Sequence, residues 1–82
     1  MTKAEIFAEL RRLNPDARDV HVVVFADALM DYRAAQANID EHGAIVIHPR
    51  TGAPITNPYL AVREQSAKQL LALKIDSTGL WT

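Results

Sequence analysis

The sequence predicts a mostly α-helical fold with one small β-hairpin. Apolar residues recur at helical spacing in three separate stretches. Two Asn-Pro pairs mark helix boundaries, and a short β-branched segment with turn residues lies before the last helical stretch. We therefore expect a single domain over residues 1–82, in which a helical hairpin with a long central helix is followed by a β-hairpin and a C-terminal helix.

Composition limits the possible classes of protein. The chain has 82 residues, of which 49% are hydrophobic and 23% charged, so it can bury an apolar face and is not expected to be disordered. Cysteine is absent, which excludes disulfides and cysteine-based zinc sites. Because no stretch has the length and apolarity of a membrane span, we expect a soluble cytoplasmic protein without a membrane partner. The formal net charge of −1 provides no overall attraction to nucleic acid.

The first helix is expected over residues 3–13. Thr2 and Glu5 have the spacing of a capping box, in which each side chain accepts a hydrogen bond from the other residue's backbone amide. Asn14-Pro15 ends this helix, since proline cannot continue it and is favoured at the first position of a following helix.

The long second helix is expected over residues 15–42. Apolar residues recur at steps of three or four from Val22 to Ile39, and alanines support the helix between them. Gly43 is suited to a left-handed C-terminal cap. The valine-rich start, residues 20–25, would also fit a β-strand, but the sustained helical period favours the helix.

A β-hairpin is expected over residues 44–56 and the last helix over residues 58–74. The hairpin has a β-branched first strand, a turn over residues 49–52 and a return strand in which Pro54 restricts pairing to an edge. A two-stranded hairpin is marginal alone and needs helices or a neighbouring chain. The tail, residues 75–82, has Leu80-Trp81 as its apolar element.

No set of residues predicts catalysis. The three histidines, His21, His42 and His48, lack the spacing of a metal-binding motif. A site formed by His42 and His48 with Asp40 or Glu41 is conceivable, but surface histidines are the favoured interpretation. The sequence also lacks a nucleophile elbow and a glycine-rich phosphate loop. We therefore expect neither an enzyme nor a bound cofactor or metal.

Several short motifs follow one another in a distinctive order between Phe25 and Leu73. They are Tyr32-Arg33 with Ala35 and Ile39, Glu41-His42-Gly43, Thr51-Gly52, Asn57-Pro58-Tyr59-Leu60, Arg63-Glu64 and Ala67-Lys68-Gln69-Leu70-Leu71. In this order and spacing they resemble the core of the P27-type small terminase subunits of tailed bacteriophages.

The resemblance implies a role in packaging viral DNA. It implies a phage or prophage subunit in the cytoplasm of the bacterial host that forms a homo-oligomer, expected to be a ring, and is a non-catalytic adaptor. Its partners would be viral double-stranded DNA and the large terminase subunit. Members of the family commonly begin with a basic N-terminal arm and end in a segment that contains arginines. This sequence begins almost directly at the capped first helix and ends in Gly79-Leu80-Trp81-Thr82. We therefore expect DNA contact to need several copies or a partner.

Candidate contact residues come from charge and apolar surface. The candidates for DNA contact are Arg11, Arg12, Arg18, Arg50 and Lys68. The candidates for contacts between subunits are Phe25, Leu29, Tyr32, Leu70 and Leu71. A chain this small with so much apolar helix surface is expected to self-assemble. The alternative is a small helical interaction module or dimer with no nucleic-acid role.

Overall fold

Three helices and a two-stranded hairpin make up the fold of residues 1–81, the part of the chain that a computed structural model describes. They are α1 (Lys3–Leu13), α2 (Asp19–His42), β1 (Ile45–Ile47), β2 (Pro54–Thr56) and α3 (Tyr59–Ala72). This order confirms the mostly α fold with a small β-hairpin. Thr82, the last residue of the predicted tail, lies outside the described residues.

Helix α1 has the predicted capping box at its N-terminus. The amide of Glu5 donates to Thr2 Oγ1 over 3.2 Å, and the amide of Thr2 donates to Glu5 Oε1 over 3.0 Å. At the other end the backbone and side-chain amides of Asn14 both donate to the Leu10 carbonyl, each over 2.9 Å. Both ends of this short helix are therefore hydrogen-bonded locally.

Helix α2 begins at Asp19, four residues after the predicted start at Pro15. The amide of Ala17 donates to the Asn14 carbonyl over 3.2 Å, so the segment after Asn14 forms a turn rather than the first helical residues. This turn reverses the chain, because Lys3 at the start of α1 pairs with Asp27 well inside α2. The valine-rich start is helical and not a strand.

Glycine ends α2, but not in the predicted left-handed conformation. Gly43 has φ 86° and ψ 174°, an extended positive-φ region that side chains disfavour strongly. A helix of 24 residues is about 36 Å long. The molecule is accordingly elongated, with extents of 50 × 22 × 18 Å and a radius of gyration of 15.2 Å, against about 12 Å for a compact chain of this size.

The apolar core lies at one end of this long axis. It joins α1, the first half of α2 and the C-terminal tail, and Leu70 and Leu73 from the end of α3 pack against it. Its buried members are Ile6, Leu10, Val22, Phe25, Ala26, Leu29 and Leu80. Helix α3 runs antiparallel to α2 and packs along its second half, where Arg63 Nη1 donates to Gln36 Oε1 over 3.2 Å.

A polar cluster around Asn57 joins the hairpin to the helices. The Asn57 side chain is 2% exposed, and its Nδ2 donates to Asn38 Oδ1 and to the Gly43 carbonyl, each over 2.9 Å. Its Oδ1 accepts from the amide of Tyr59 over 3.0 Å, as expected for a residue that caps α3. All the polar atoms of this buried amide group are thus engaged, which fixes how the chain leaves α2 and enters α3.

The hairpin has the edge character that Pro54 predicts. Strands β1 and β2 are antiparallel, with Ile47 opposite Pro54. The amide of His48 donates to the Ala53 carbonyl, so the adjacent Ile47–Pro54 pair is of the non-hydrogen-bonded type. The missing amide hydrogen of Pro54 therefore breaks no bond between the two strands.

Candidate assembly surface and basic residues

An apolar groove opens where α2, α3 and the C-terminal tail meet. It is lined by Tyr32, Ala67, Leu70, Leu71 and Trp81 and has a volume of about 240 Å³. Leu71 is 86% exposed and Trp81 is 50% exposed, so the rim consists of large apolar side chains in contact with water. Patches of this kind on a small chain are typical of contact surfaces for other proteins.

Helical spacing and one aromatic contact build the groove. Ala67, Leu70 and Leu71 stand at i, i+3 and i+4 and therefore share one face of α3. The rings of Tyr32 and Trp81 meet edge to face, with centroids 5.7 Å apart and planes at 82°. The indole Nε1 of Trp81 donates to Ser77 Oγ over 2.8 Å, which orients the ring.

The residues predicted for subunit contacts divide into two sets. Tyr32, Leu70 and Leu71 line the groove. Phe25 and Leu29 are 3% and 0% exposed and belong to the chain's own core, so their side chains hold α1 and the tail against α2. Their burial removes them from the surface available to a neighbour. Trp81 is absent from the predicted set, although the apolar pair Leu80-Trp81 indicates that the tail is apolar.

A second exposed apolar patch lies on α2. Val20, Val23 and Val24 are all exposed. They face away from the core, because the buried Val22 and Leu29 lie on the opposite side of the helix. We call Val20, Val23 and Val24 the valine ridge. The groove and the valine ridge are thus different surfaces on the same long helix.

Two of the predicted DNA-contact arginines are held by acids within the chain. Arg11 donates from Nη1 to Asp19 Oδ1 over 2.7 Å and from Nη2 to the Pro15 carbonyl over 2.6 Å. Arg12 donates to both carboxylate oxygens of Glu9 through Nε and Nη2. These bonds lower the pKa of Glu9 and raise the pKa of Arg12.

The five predicted DNA-contact residues do not share one face. Lys68 lies 3.6 Å from Glu64 on α3. Arg18 and Arg50 form no ion pair within residues 1–81, but Arg18 precedes α2 and Arg50 lies in the hairpin turn beyond its other end. Because α2 is about 36 Å long, one chain has scattered cations rather than a basic patch.

A family model described as "Phage terminase, small subunit" matches residues 3–76, which contain all three helices and the hairpin. The chain belongs to this family. The match confirms the small-terminase resemblance inferred from the sequence, while the P27 subtype stays a prediction. No curated protein and no solved structure matches the chain.

In this phage terminase small subunit one histidine, His48, has a local structural role. His48 Nδ1 accepts hydrogen bonds from the amides of Arg50 and Thr51, over 3.1 and 3.3 Å, and so caps the hairpin turn. His42 lies 3.7 Å from its neighbour Glu41. Across residues 1–81 no three His, Cys, Asp or Glu side chains come together as a metal site. Within the same range no helix has the length and apolarity to cross a membrane.

Proposed function

We propose that this phage DNA-packaging subunit is an oligomeric, non-catalytic adaptor that brings viral double-stranded DNA to the large terminase subunit in the host cytoplasm. The observation that supports assembly most strongly is the exposed apolar groove. Leu71, with 86% of its side chain exposed, makes little contribution to the chain's own packing. Its burial against another copy would remove apolar surface from water.

Assembly into a ring needs two different complementary surfaces on each copy. The groove and the valine ridge are our candidates for these surfaces, since one is concave, the other is an exposed helix face, and they lie on different sides of α2. We propose that the groove of one copy contacts the valine ridge of the next. The hairpin isoleucines, Ile45 and Ile47, are exposed at the far end of each copy and would line a common rim of the assembly.

Native mass measurement of paired charge variants tests this assignment. Leu71→Lys places a charge in the groove and should reduce the multimer to monomer without changing the far-UV circular dichroism. Gln65→Lys adds the same charge to an exposed position of α3 outside the groove and should leave the multimer intact. A multimer that tolerates Leu71→Lys as well as Gln65→Lys would rule out the groove as the contact.

DNA contact is proposed to come from unpaired cations repeated around the assembly. Arg18 and Arg50 are the stronger candidates, because Arg11, Arg12 and Lys68 already have acidic neighbours. Replacing either by alanine should weaken DNA binding and reduce the slope of log affinity against log salt by about one for each phosphate that is no longer neutralised. Arg12→Ala should have a smaller effect. Equal reductions in affinity for all three variants would show that intramolecular pairing does not decide DNA contact.

The alternative function is a small helical interaction module without a nucleic-acid role, and the net charge of −1 favours it. Two binding measurements on the wild-type chain separate the alternatives. The adaptor proposal expects co-elution with a purified large terminase subunit and retention of double-stranded DNA at low salt. A homodimer that binds neither would establish the alternative.

A further inference from the structure

The C-terminal tail is a structured element although it contains no helix or strand. We call residues 75–81 the strap. Asp76 Oδ1 accepts from the amide and the hydroxyl of Thr78, over 3.0 and 2.6 Å, and the amide of Leu80 donates to the Ser77 carbonyl over 3.0 Å. These bonds fold the strap back on itself after α3, and the two from Thr78 lower the pKa of Asp76. They present Leu80 to the core as the fully packed apolar anchor of the strap, and Ile75 packs against the same core partly buried.

The strap is fastened to the end of α1 by a reciprocal pair of hydrogen bonds. Asn14 Nδ2 donates to the Asp76 carbonyl over 2.7 Å, and the Asp76 amide donates to Asn14 Oδ1 over 2.8 Å. The same Nδ2 also donates to the Leu10 carbonyl, so one side chain caps α1 and holds the strap. The two partners are 62 positions apart in the sequence.

Helix α1 is held by a small apolar interface. Its buried side chains are Ile6 and Leu10, and both belong to the cluster that Leu80 completes at 3% exposure. Eleven residues are too few for a stable isolated helix in water. Helix α1 packs on α2 and makes little contact with α3, whereas α2 and α3 are joined along their length and by the Asn57 cluster.

We propose that the strap is a latch that holds α1 on α2, so that release of residues 75–81 frees α1 while α2, α3 and the hairpin stay folded. Two cations lose their acidic partners when α1 leaves α2. Lys3 leaves Asp27, and Arg11 leaves Asp19. Strap release thereby converts paired cations into free ones at the N-terminal end of the molecule. This consequence for DNA contact rests on the function proposed above; the latch itself does not.

Hydrogen exchange of the full chain tests the latch. Leu80→Ala removes the buried anchor and should speed amide exchange in α1 by about tenfold or more, while amides at the α2–α3 interface keep their wild-type rates. Val62→Ala is the control, since it shortens an exposed apolar side chain of α3 outside both the core and the groove, and should leave α1 exchange within about threefold of wild type.

Two outcomes would overturn the latch: unchanged α1 exchange in Leu80→Ala, or equal acceleration in all three helices. If Leu80→Ala does not fold, Asp76→Ala is the second variant. It removes both bonds from Thr78 that fold the strap, leaves the Asn14 cap of α1 in place, creates no core cavity and should speed α1 exchange selectively. The effect of strap release on DNA binding is measured separately. Leu80→Ala should steepen the salt dependence of DNA binding, by the equivalent of up to about two more neutralised phosphates for each copy. Fast α1 exchange with an unchanged salt slope would leave the latch standing and reject its link to DNA.

Discussion

The two ends of helix α2 are stabilised in different ways. At its N-terminal end, apolar side chains from α1, α2 and the strap form the core, with Leu10 and Leu29 fully buried. At its C-terminal end the hairpin is joined through hydrogen bonds of Asn57, and Ile45 and Ile47 are exposed. We infer that apolar burial supplies stability at the core end, while the polar cluster fixes orientation at the hairpin end.

The largest expected difference between the two ends is the cost of shortening an apolar side chain. Leu10→Ala should lower the free energy of unfolding by about 2–5 kcal/mol, because it leaves a cavity in the core. Ile47→Ala, on the exposed hairpin, should change it by no more than about 0.5 kcal/mol. Urea unfolding followed by circular dichroism measures both. Similar losses of stability would show that the hairpin is part of one continuous core.

The polar cluster should give an intermediate effect. Asn57→Ala removes the bonds to Asn38 and Gly43 and leaves buried polar groups unpaired, at a cost of about 1–3 kcal/mol. The changes in amide chemical shift should concentrate in the hairpin and the start of α3. Thr56→Ala, at the exposed neighbouring position, is the control and should be nearly neutral. Shift changes centred on α1 would contradict the separation of the two ends.

Acid should have the smallest effect, and we expect it at the core end. Hydrogen bonds from Thr2, Arg12 and Thr78 lower the pKa values of Glu5, Glu9 and Asp76 respectively, the first two from an ordinary 4.5 and the third from 3.8. A carboxyl group whose pKa is lower in the folded state stabilises the fold above its ordinary pKa. That stabilisation is lost as the pH falls through the folded value. All three carboxyl groups lie in α1 or the strap.

Thermal unfolding at a series of pH values from about 5 downward measures this effect. The melting temperature should fall as the pH is lowered, and Glu5→Gln should make that fall shallower. Gln65→Lys, which raises the net charge by the same one unit at an exposed position of α3, should leave the steepness of that fall unchanged. A curve that responds equally to both substitutions would mean that the carboxyl groups act through total charge and not through the hydrogen bonds at the core end.

Local signals make much of the fold predictable. The Thr2–Glu5 capping box and the glycine that ends α2 depend on residues a few positions apart. The same kind of local signal placed the start of α2 too early, at Pro15. Proline suits the first turn of a helix, but here the Asn14 carbonyl accepts from the Ala17 amide and the segment forms a turn.

The sequence pattern does not predict which residues distant in the sequence pack together. Helical periodicity places Phe25, Leu29 and Tyr32 on adjoining faces but does not say which of them the chain covers itself. The first two are buried in one cluster with Leu80 of the strap and side chains of α1, and Tyr32 remains at the groove. The strap follows no periodic pattern, and its bonds to Asn14 span most of the chain, so its role in the core could not be predicted.

The native mass of the wild-type chain at micromolar concentration decides whether the groove and the valine ridge join copies of the chain. We expect a closed multimer that Leu71→Lys reduces to monomer while Gln65→Lys does not. A wild-type chain that is monomeric under these conditions, with its groove and valine ridge both open to water, would contradict this expectation.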